Sequence, residues 1–327
     1  MSPQHTIYPI LFSKPHHIPP LGTTTAMTSP QSAFRAPAFI RRLFSHFPLI
    51  IHPVDPPPMT TDEFQPTTSR DSQGSINTLY SFTDSTDGSI ASFNPACLKW
   101  QTYLKIRNIP IKTQPSNNHA SPSGSLPFLV ISSRSDRICQ TIPSTKMARW
   151  IEDHATEGSV NTVDTDAGDY RAFLSLVEGA VRDAWLYALY IDPSNLSSLT
   201  VPKYTSPIPL WPIPTILGSQ MRQAAIDAIR KSSSSPSLPS GTEIYTKALE
   251  AFKALSTLLG HDTWFFGASE AGIFDAEVFA YTHLLLNLEI EGSGGVVVEG
   301  LREFDNLAGH EERITRRWFK SPLATFH

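Results

Sequence analysis

The spacing of apolar residues changes about halfway along the chain. Ile76 to Phe82 (INTLYSF) is an aliphatic and aromatic run bounded by Gly74 and Asp84, which predicts a strand. In Pro95 to Ile106 (PACLKWQTYLKI), Cys97, Leu98, Trp100, Tyr103, Leu104 and Ile106 recur at helical steps, which predicts a helix. Pro95 suits its first turn, and Asn108 and Pro110 end it. Ile111 to Pro115 predicts a second strand, Ser116 to Ser125 (SNNHASPSGS) polar turns, and Leu126 to Ile131 (LPFLVI) a third strand. Arg134 to Ile142 alternates turn and extended signals, and Thr145 to His154 is a helix with Met147, Trp150 and Ile151 on one face. The first half therefore reads β-α-β-β-α over residues 76–155.

After the polar linker Thr156 to Gly168, helical periodicity takes over for residues 169–320. Tyr170 to Tyr190 carries Phe173, Leu174, Val177, Val181, Trp185, Leu186 and Leu189, a pattern too long and too one-sided for a strand. Residues 195–217 are dense in proline and are expected to be an irregular insert. Further helices are expected at Gln220 to Arg230, Glu243 to Leu259, Ile273 to Leu288 and Leu301 to Trp318. The Ser/Pro stretch 231–240 reads as a flexible loop and Gly292 to Gly295 as a flexible turn. A β-rich half followed by an all-helical half is an α+β architecture of two domains.

The two ends of the chain differ in charge. Residues 1–54 contain Lys14, Arg35, Arg41 and Arg42 and no acid, so this arm carries +4. The remainder carries −8, with 22 basic residues against all 30 acidic ones. The overall charge of −4 is too mild for a nucleic-acid binder. Residues 1–33 read as a disordered arm, and residues 34–75 as a basic and aromatic segment running into a Pro-rich linker. In Phe34 to Phe47, Phe39, Leu43, Phe44 and Phe47 can share one helical face beside Arg41 and Arg42. That segment is either a surface-lying anchor or partner contact, or a strap packed on the protein's own body. No run of about 18 apolar residues is present, so no membrane-spanning helix is expected. The N-terminus is acid-poor and contains arginine, as transit peptides do, but its prolines interrupt a long amphipathic helix, and Met27 is an alternative start. The two cysteines, Cys97 and Cys139, make no disulfide framework.

Cys97 stands at the start of a helix that follows a strand and a loop, where free N–H groups and the helix dipole favour a thiolate. Leu126-Pro127-Phe128 opens the third strand, and Pro143-Ser144-Thr145 opens the second helix. Together these features resemble the thioredoxin-like domain of the glutathione-transferase fold. The resemblance implies a cis Pro127 and a glutamyl-binding Ser144. The chain departs from that pattern at Pro143, which stands where transferases place the acid that receives the amine of glutathione. A second cysteine two or three residues from Cys97 is absent as well, so dithiol chemistry is not expected. The other reading of Cys97 is a small buried residue packed on the sheet. In the second half, Trp264 to Ser269 (WFFGAS) followed by Gly272-Ile273-Phe274-Asp275 resembles the transferase capping arrangement, with Gly272 at the cap and Asp275 kept.

Longer stretches narrow the resemblance. SFNPACLKWQTYL, PSNNHASPSGSLPFL, AWLYALYID and WFFGASEAGIFDAEVFAYTHLLL are similar to metaxin-like subunits of the mitochondrial outer-membrane β-barrel assembly machinery. That family implies a peripheral, cytosol-facing, non-enzymatic protein without cofactor or metal. It implies three partners: the β-barrel core subunit, a second metaxin-like subunit, and the β-signal of precursor proteins. Candidate partner contacts are Arg41, Arg42 and Phe44 in the arm and Asn117, Asn118 and His119 in the polar loop, whose side chains either bond a partner backbone or only shape the turn. Cys97, Pro127 and Ser144 are then vestiges of a thiol site. Two alternatives stand beside this: a glutathione-dependent enzyme using Cys97, and an adaptor that reuses the fold elsewhere.

Overall fold

The computed structural model describes residues 76–132, 139–155, 165, 167–205, 212–233 and 237–319. Arg41, Arg42 and Phe44 lie outside the described residues.

The first half is built on a four-stranded sheet of order β2-β1-β3-β4. Strand β1 (Ile76–Ser81) pairs in parallel with β2 (Lys112–Pro115) and antiparallel with β3 (Phe128–Ser132). On the β1–β3 pair, Tyr80 lies opposite Phe128 and their rings stack 4.7 Å apart. The fourth strand, β4 (Cys139–Pro143), runs antiparallel to β3 and corrects the expected β-α-β-β-α order. Its polar lead-in, Arg134 to Arg137, disguised a strand that buries Ile142. Pro143 closes this edge strand, a place in a sheet where proline is tolerated.

Helix α1 (Pro95–Ile106) is capped by Asn94, whose side chain accepts from the Cys97 N–H at 3.2 Å. Its C-terminus turns through Asn108, at φ 55°, with Asn108 N–H on Lys105 O at 3.0 Å and Ile109 N–H on Leu104 O at 2.9 Å. That is the stop the sequence predicts there. Helix α2 (Ser144–His154) buries Met147 and Ile151. Glu152, on its outer face, accepts from the Tyr103 hydroxyl and from Arg107.

The helical half begins with one long helical run. Helix α3 (Gly168–Leu176), a π-type turn (Val177–Val181), α4 (Arg182–Leu186) and a second π-type turn (Tyr187–Ile191) follow without a break. The expected irregular insert is helical over residues 195–205 and 213–217. Two of the prolines, Pro193 and Pro214, stand in the first turn of a helical segment, where a proline has no bond to lose. Pro193 begins the turn Pro193–Asn195 under the Asp192 cap, and Pro214 is the second residue of α6 (Ile213–Ser233). Pro202, in α5 (Val201–Thr205), follows a wide π-type turn (Leu196–Thr200) in the same run.

Helix α7 (Gly241–Leu259) is followed by α8 (Ile273–Asn287), which is buried on nearly all sides, from Phe274 to Leu285. It packs along α1 and carries the ion pair of Glu277 with Lys99. The last stretch, expected as one helix, is two: α9 (Gly295–Arg302) and α10 (Asp305–Trp318), broken at Phe304. The expected flexible turn Gly292 to Gly295 is pinned instead. Ser293 donates to Asp192 at 2.8 Å, and the Asn195 amide exchanges two 2.9 Å bonds with the Glu291 backbone. A Cβ on Gly294 would meet Ile290 at 2.7 Å and Ala188 at 3.0 Å.

Candidate functional site

The residues around Cys97 decide what the first half can do. Cys97 is fully buried, clustered with Leu126, Phe128 and Val130. Burial pushes its thiol up to about 12, against smaller lowering by hydrogen bonds from the Phe82 backbone and the Ser92 hydroxyl. The helix N-terminus that favours a thiolate is therefore outweighed by desolvation. Burial thus favours the protonated thiol at neutral pH.

The surroundings of this position are filled by the protein itself. The Ser92 hydroxyl donates to Phe82 O at 2.5 Å, and Gln101 accepts from Ser92 N–H at 2.9 Å. Gln101 also donates to the carbonyls of Gly88 and Ile90, which fixes the loop between β1 and α1. Tyr204, from α5, lies against this loop. Its ring packs edge-on to Phe82 at 4.9 Å and to Phe93 at 5.3 Å, and its hydroxyl accepts from the Asn94 amide at 2.9 Å. Neither Tyr204 nor Ser92 was singled out from the sequence. A tyrosine in a proline-rich stretch gives no local signal that it docks on a helix start 110 residues away.

The other vestigial positions fall where the resemblance places them. The Leu126–Pro127 bond is cis, at the head of β3. Ser144 is the first residue of α2 and is buried. Its neighbour Pro143 forms the cap without a side-chain bond, so no carboxylate stands at this helix start. Among the described residues, Cys97 is buried and the first turn of α2 carries no acid, so this pair of positions does not fit glutathione.

In the polar loop, the Asn117 side chain accepts from the His119 N–H at 2.9 Å and caps a short 3-10 turn, Asn118–Ala120. Asn118 accepts from the Leu126 N–H at 2.9 Å and so holds the approach to β3. Asn117 and His119 are exposed, and Asn118 is half-buried. The loop is thus a shaped surface feature at the approach to β3.

The helical half is fixed by a buried polar knot. Asp275 accepts from the Gly272 N–H at 2.8 Å, the Phe265 N–H at 3.1 Å and His310 Nε2 at 2.9 Å. This is the capping role expected for Asp275, and it ties the WFFG turn and α10 to the start of α8. A second pair joins His283 to Glu311 at 2.6 Å, with Thr315 and Asn287 also bonded to Glu311. Between the halves lies a cavity of about 430 Å³, walled by Phe93, Trp185, Leu189, Tyr190 and Tyr204, with Lys203 and Asp84 at its rim.

Comparison with known proteins agrees with this architecture. Residues 95–195 match the glutathione S-transferase N-terminal domain, and residues 248–314 match the glutathione S-transferase C-terminal domain. Mouse (Mus musculus) metaxin-2 is 24% identical over 237 residues, 71% of this chain and 84% of that protein. Mouse metaxin-1 is 27% identical over 225 residues, 67% of this chain and 68% of that protein. Among solved structures, a glutathione S-transferase of Ceriporiopsis subvermispora covers 75% of this chain and 99% of its own, at 14% identity and a TM-score of 0.45. The chain is a glutathione-transferase-like α+β protein, and its sequence is similar to the metaxins.

Proposed function

We propose that the chain is a peripheral, non-enzymatic subunit of the mitochondrial outer-membrane sorting and assembly machinery, corresponding to its fungal 35-kDa subunit. In this reading it receives the β-signals of β-barrel precursors and supports their insertion by binding. The observation that carries the reading is the closed thiol position, with Cys97 buried beneath a transferase-like fold in a chain that is similar to the metaxins. A fold kept without its chemistry is a fold kept for its surfaces.

Peripheral attachment is supported by hydropathy: no helix among the described residues is long and apolar enough to cross a membrane. The basic arm, with Arg41 and Arg42, supplies charge for an anionic surface. The partners in this reading are the β-barrel core subunit, a second metaxin-like subunit and the incoming β-signal. An extended β-signal pairs most simply with a sheet edge, and β2 and β4 are the two edges here.

Site-specific crosslinking during import into isolated mitochondria tests the reading. A β-barrel precursor carrying a photoreactive residue in its C-terminal strand should form an adduct with this chain. Adducts with the core subunit alone would overturn the receptor role. Replacing Arg41 and Arg42 together by Glu should release the chain from the membrane fraction, and unchanged co-fractionation would remove the arm as an anchor.

A further inference from the structure

The end of α10 carries a row of stacked cations and indoles, away from the Cys97 position and from both sheet edges. The Arg317 guanidinium lies over the Trp318 ring, 4.7 Å from its centre. The Trp318 ring lies 6.0 Å from that of Trp264, and the Arg313 guanidinium lies 5.9 Å from the centre of the Trp264 ring. Lys105, from α1, donates to Trp318 O at 2.9 Å and so fixes the end of the helix. Trp264 is buried, Trp318 is half-buried and Arg317 is exposed, so the row runs from the interior to the surface. We propose that its outer end is a docking point for an acidic segment of a partner protein, whose carboxylates meet Arg317 and Arg313. The proposal does not rest on β-signal capture, which would use a sheet edge.

The charges on α10 select an acid. Glu312 is held by Arg316 one turn on, and Glu311 is turned inward to His283. Arg313 donates from Nη2 to Thr263 O at 3.1 Å. Arg317 has no hydrogen bond or ion pair among the described residues, and its ring contact holds the guanidinium without using its N–H groups. A guanidinium held in this way presents a planar fork that a carboxylate meets with two parallel bonds. Arg313 and Arg317 are one helical turn apart, about 6 Å, and alternate residues of an extended chain are about 7 Å apart, so an acid-x-acid segment matches both. Arginine and tryptophan are also the side chains that most often carry the energy of a protein interface. An anionic bilayer fits less well, because residues 55–327, with 22 basic against 30 acidic residues, carry −8. The large apolar side chains that stand exposed among the described residues, Ile90, Ile213, Ile216 and Val296, also lie outside α10. Residues 320–327 contain no Asp or Glu, so the chain directly after α10 does not supply the acids.

NMR titration of the full chain, with 15N in its tryptophan indoles, tests this using the peptide GSEAESG and its counterparts GSQAQSG and GSKAKSG. Trp318→Phe assigns the Trp318 signal among the six tryptophans. GSEAESG should shift that signal saturably and bind about tenfold tighter than GSQAQSG, as one charge-assisted contact would give. GSKAKSG should not bind. Arg317→Gln should abolish the preference for Glu, and Arg317→Lys should retain only part of it, because an ammonium lacks the planar fork. Arg230→Gln removes the same charge from an exposed position on α6 and should leave the preference intact. Arg317 is exposed, so its variants should keep the Tm of the unmodified chain to within a surface-substitution effect. The proposal is overturned if the Glu and Gln peptides bind alike, if Arg317→Gln keeps the preference, or if Arg230→Gln loses it equally. Arg317-dependent flotation with phosphatidylinositol-containing vesicles, without peptide binding, would assign the surface to the membrane and overturn it too.

Discussion

The Asn94 side-chain amide donates to the Tyr204 hydroxyl at 2.9 Å, joining the cap of α1 to α5 across 110 residues of sequence. The Asn94 oxygen at the same time accepts from the Cys97 N–H. One side chain thereby caps the helix that carries the thiol and holds the ring that lies over the adjoining loop. The start of α1 is thereby tied into internal structure, and Cys97 there is buried.

Cys97 should therefore react slowly with a thiol reagent in the native protein. In a Cys139→Ser background, labelling by dithiobis-nitrobenzoate at pH 8 should be far slower than in denaturant. Tyr204→Ala removes a hydrogen bond worth about 1 kcal/mol and the packing of the ring. It should speed native labelling by roughly tenfold. Fast labelling of the unmodified chain would mean the thiol is open.

Asp275→Ala should be among the most destabilising single changes. It strands two buried backbone N–H groups and His310, and a cost of about 3–5 kcal/mol is expected for breaking such a buried charged network. The midpoint of urea unfolding measures it, and a shift no larger than that of a surface mutation would contradict the capping role.

Two carboxyls should respond to pH with opposite signs. For Glu311 burial raises the pKa, but the hydrogen bond and charge of His283, with bonds from Thr315 and Asn287, bring it below its ordinary 4.5. Its contribution is present above that value and is lost as pH falls through the folded-state pKa. Burial and then the charge of Glu277 raise Glu178 above 4.5, so its penalty is absent in acid and grows as pH rises past 4.5. Glu311→Gln should thus lower Tm at pH 7, and Glu178→Gln should raise it. Both differences should shrink in Tm scans taken toward pH 4, and matching signs at pH 7 would contradict the assignment.

Gly294→Ala tests the packed turn before α9. The added Cβ would lie 3.0 Å from Ala188 and 2.7 Å from Ile290, and overpacking of this kind costs about 1–3 kcal/mol. A neutral effect in thermal unfolding would return the turn to the flexible loop expected from its glycines.

What the sequence made legible was local. The spacing within PACLKWQTYLKI, Pro95 at its first turn and Asn108 at its end were enough to place α1. Gly272 and Asp275 marked the start of α8 in the same way. The errors came where a residue's role depends on distant partners. Prolines 193, 202 and 214 read as breakers because sequence does not reveal that they open or follow helical turns. The strand β4 was hidden because only its pairing with β3 makes it a strand. At the site, Cys97, Pro127 and Ser144 were found by resemblance, whereas Tyr204 was found only through the contact that places it beside Asn94.

The central claim is membership of an outer-membrane assembly complex. Its most direct test is purification of the tagged chain from mitochondria solubilised in mild detergent, with co-purifying proteins identified by mass spectrometry. The account predicts a β-barrel core subunit in near-equal amount, together with a second metaxin-like protein. Recovery of the chain as a free monomer from the cytosolic fraction, without such a partner, would contradict it.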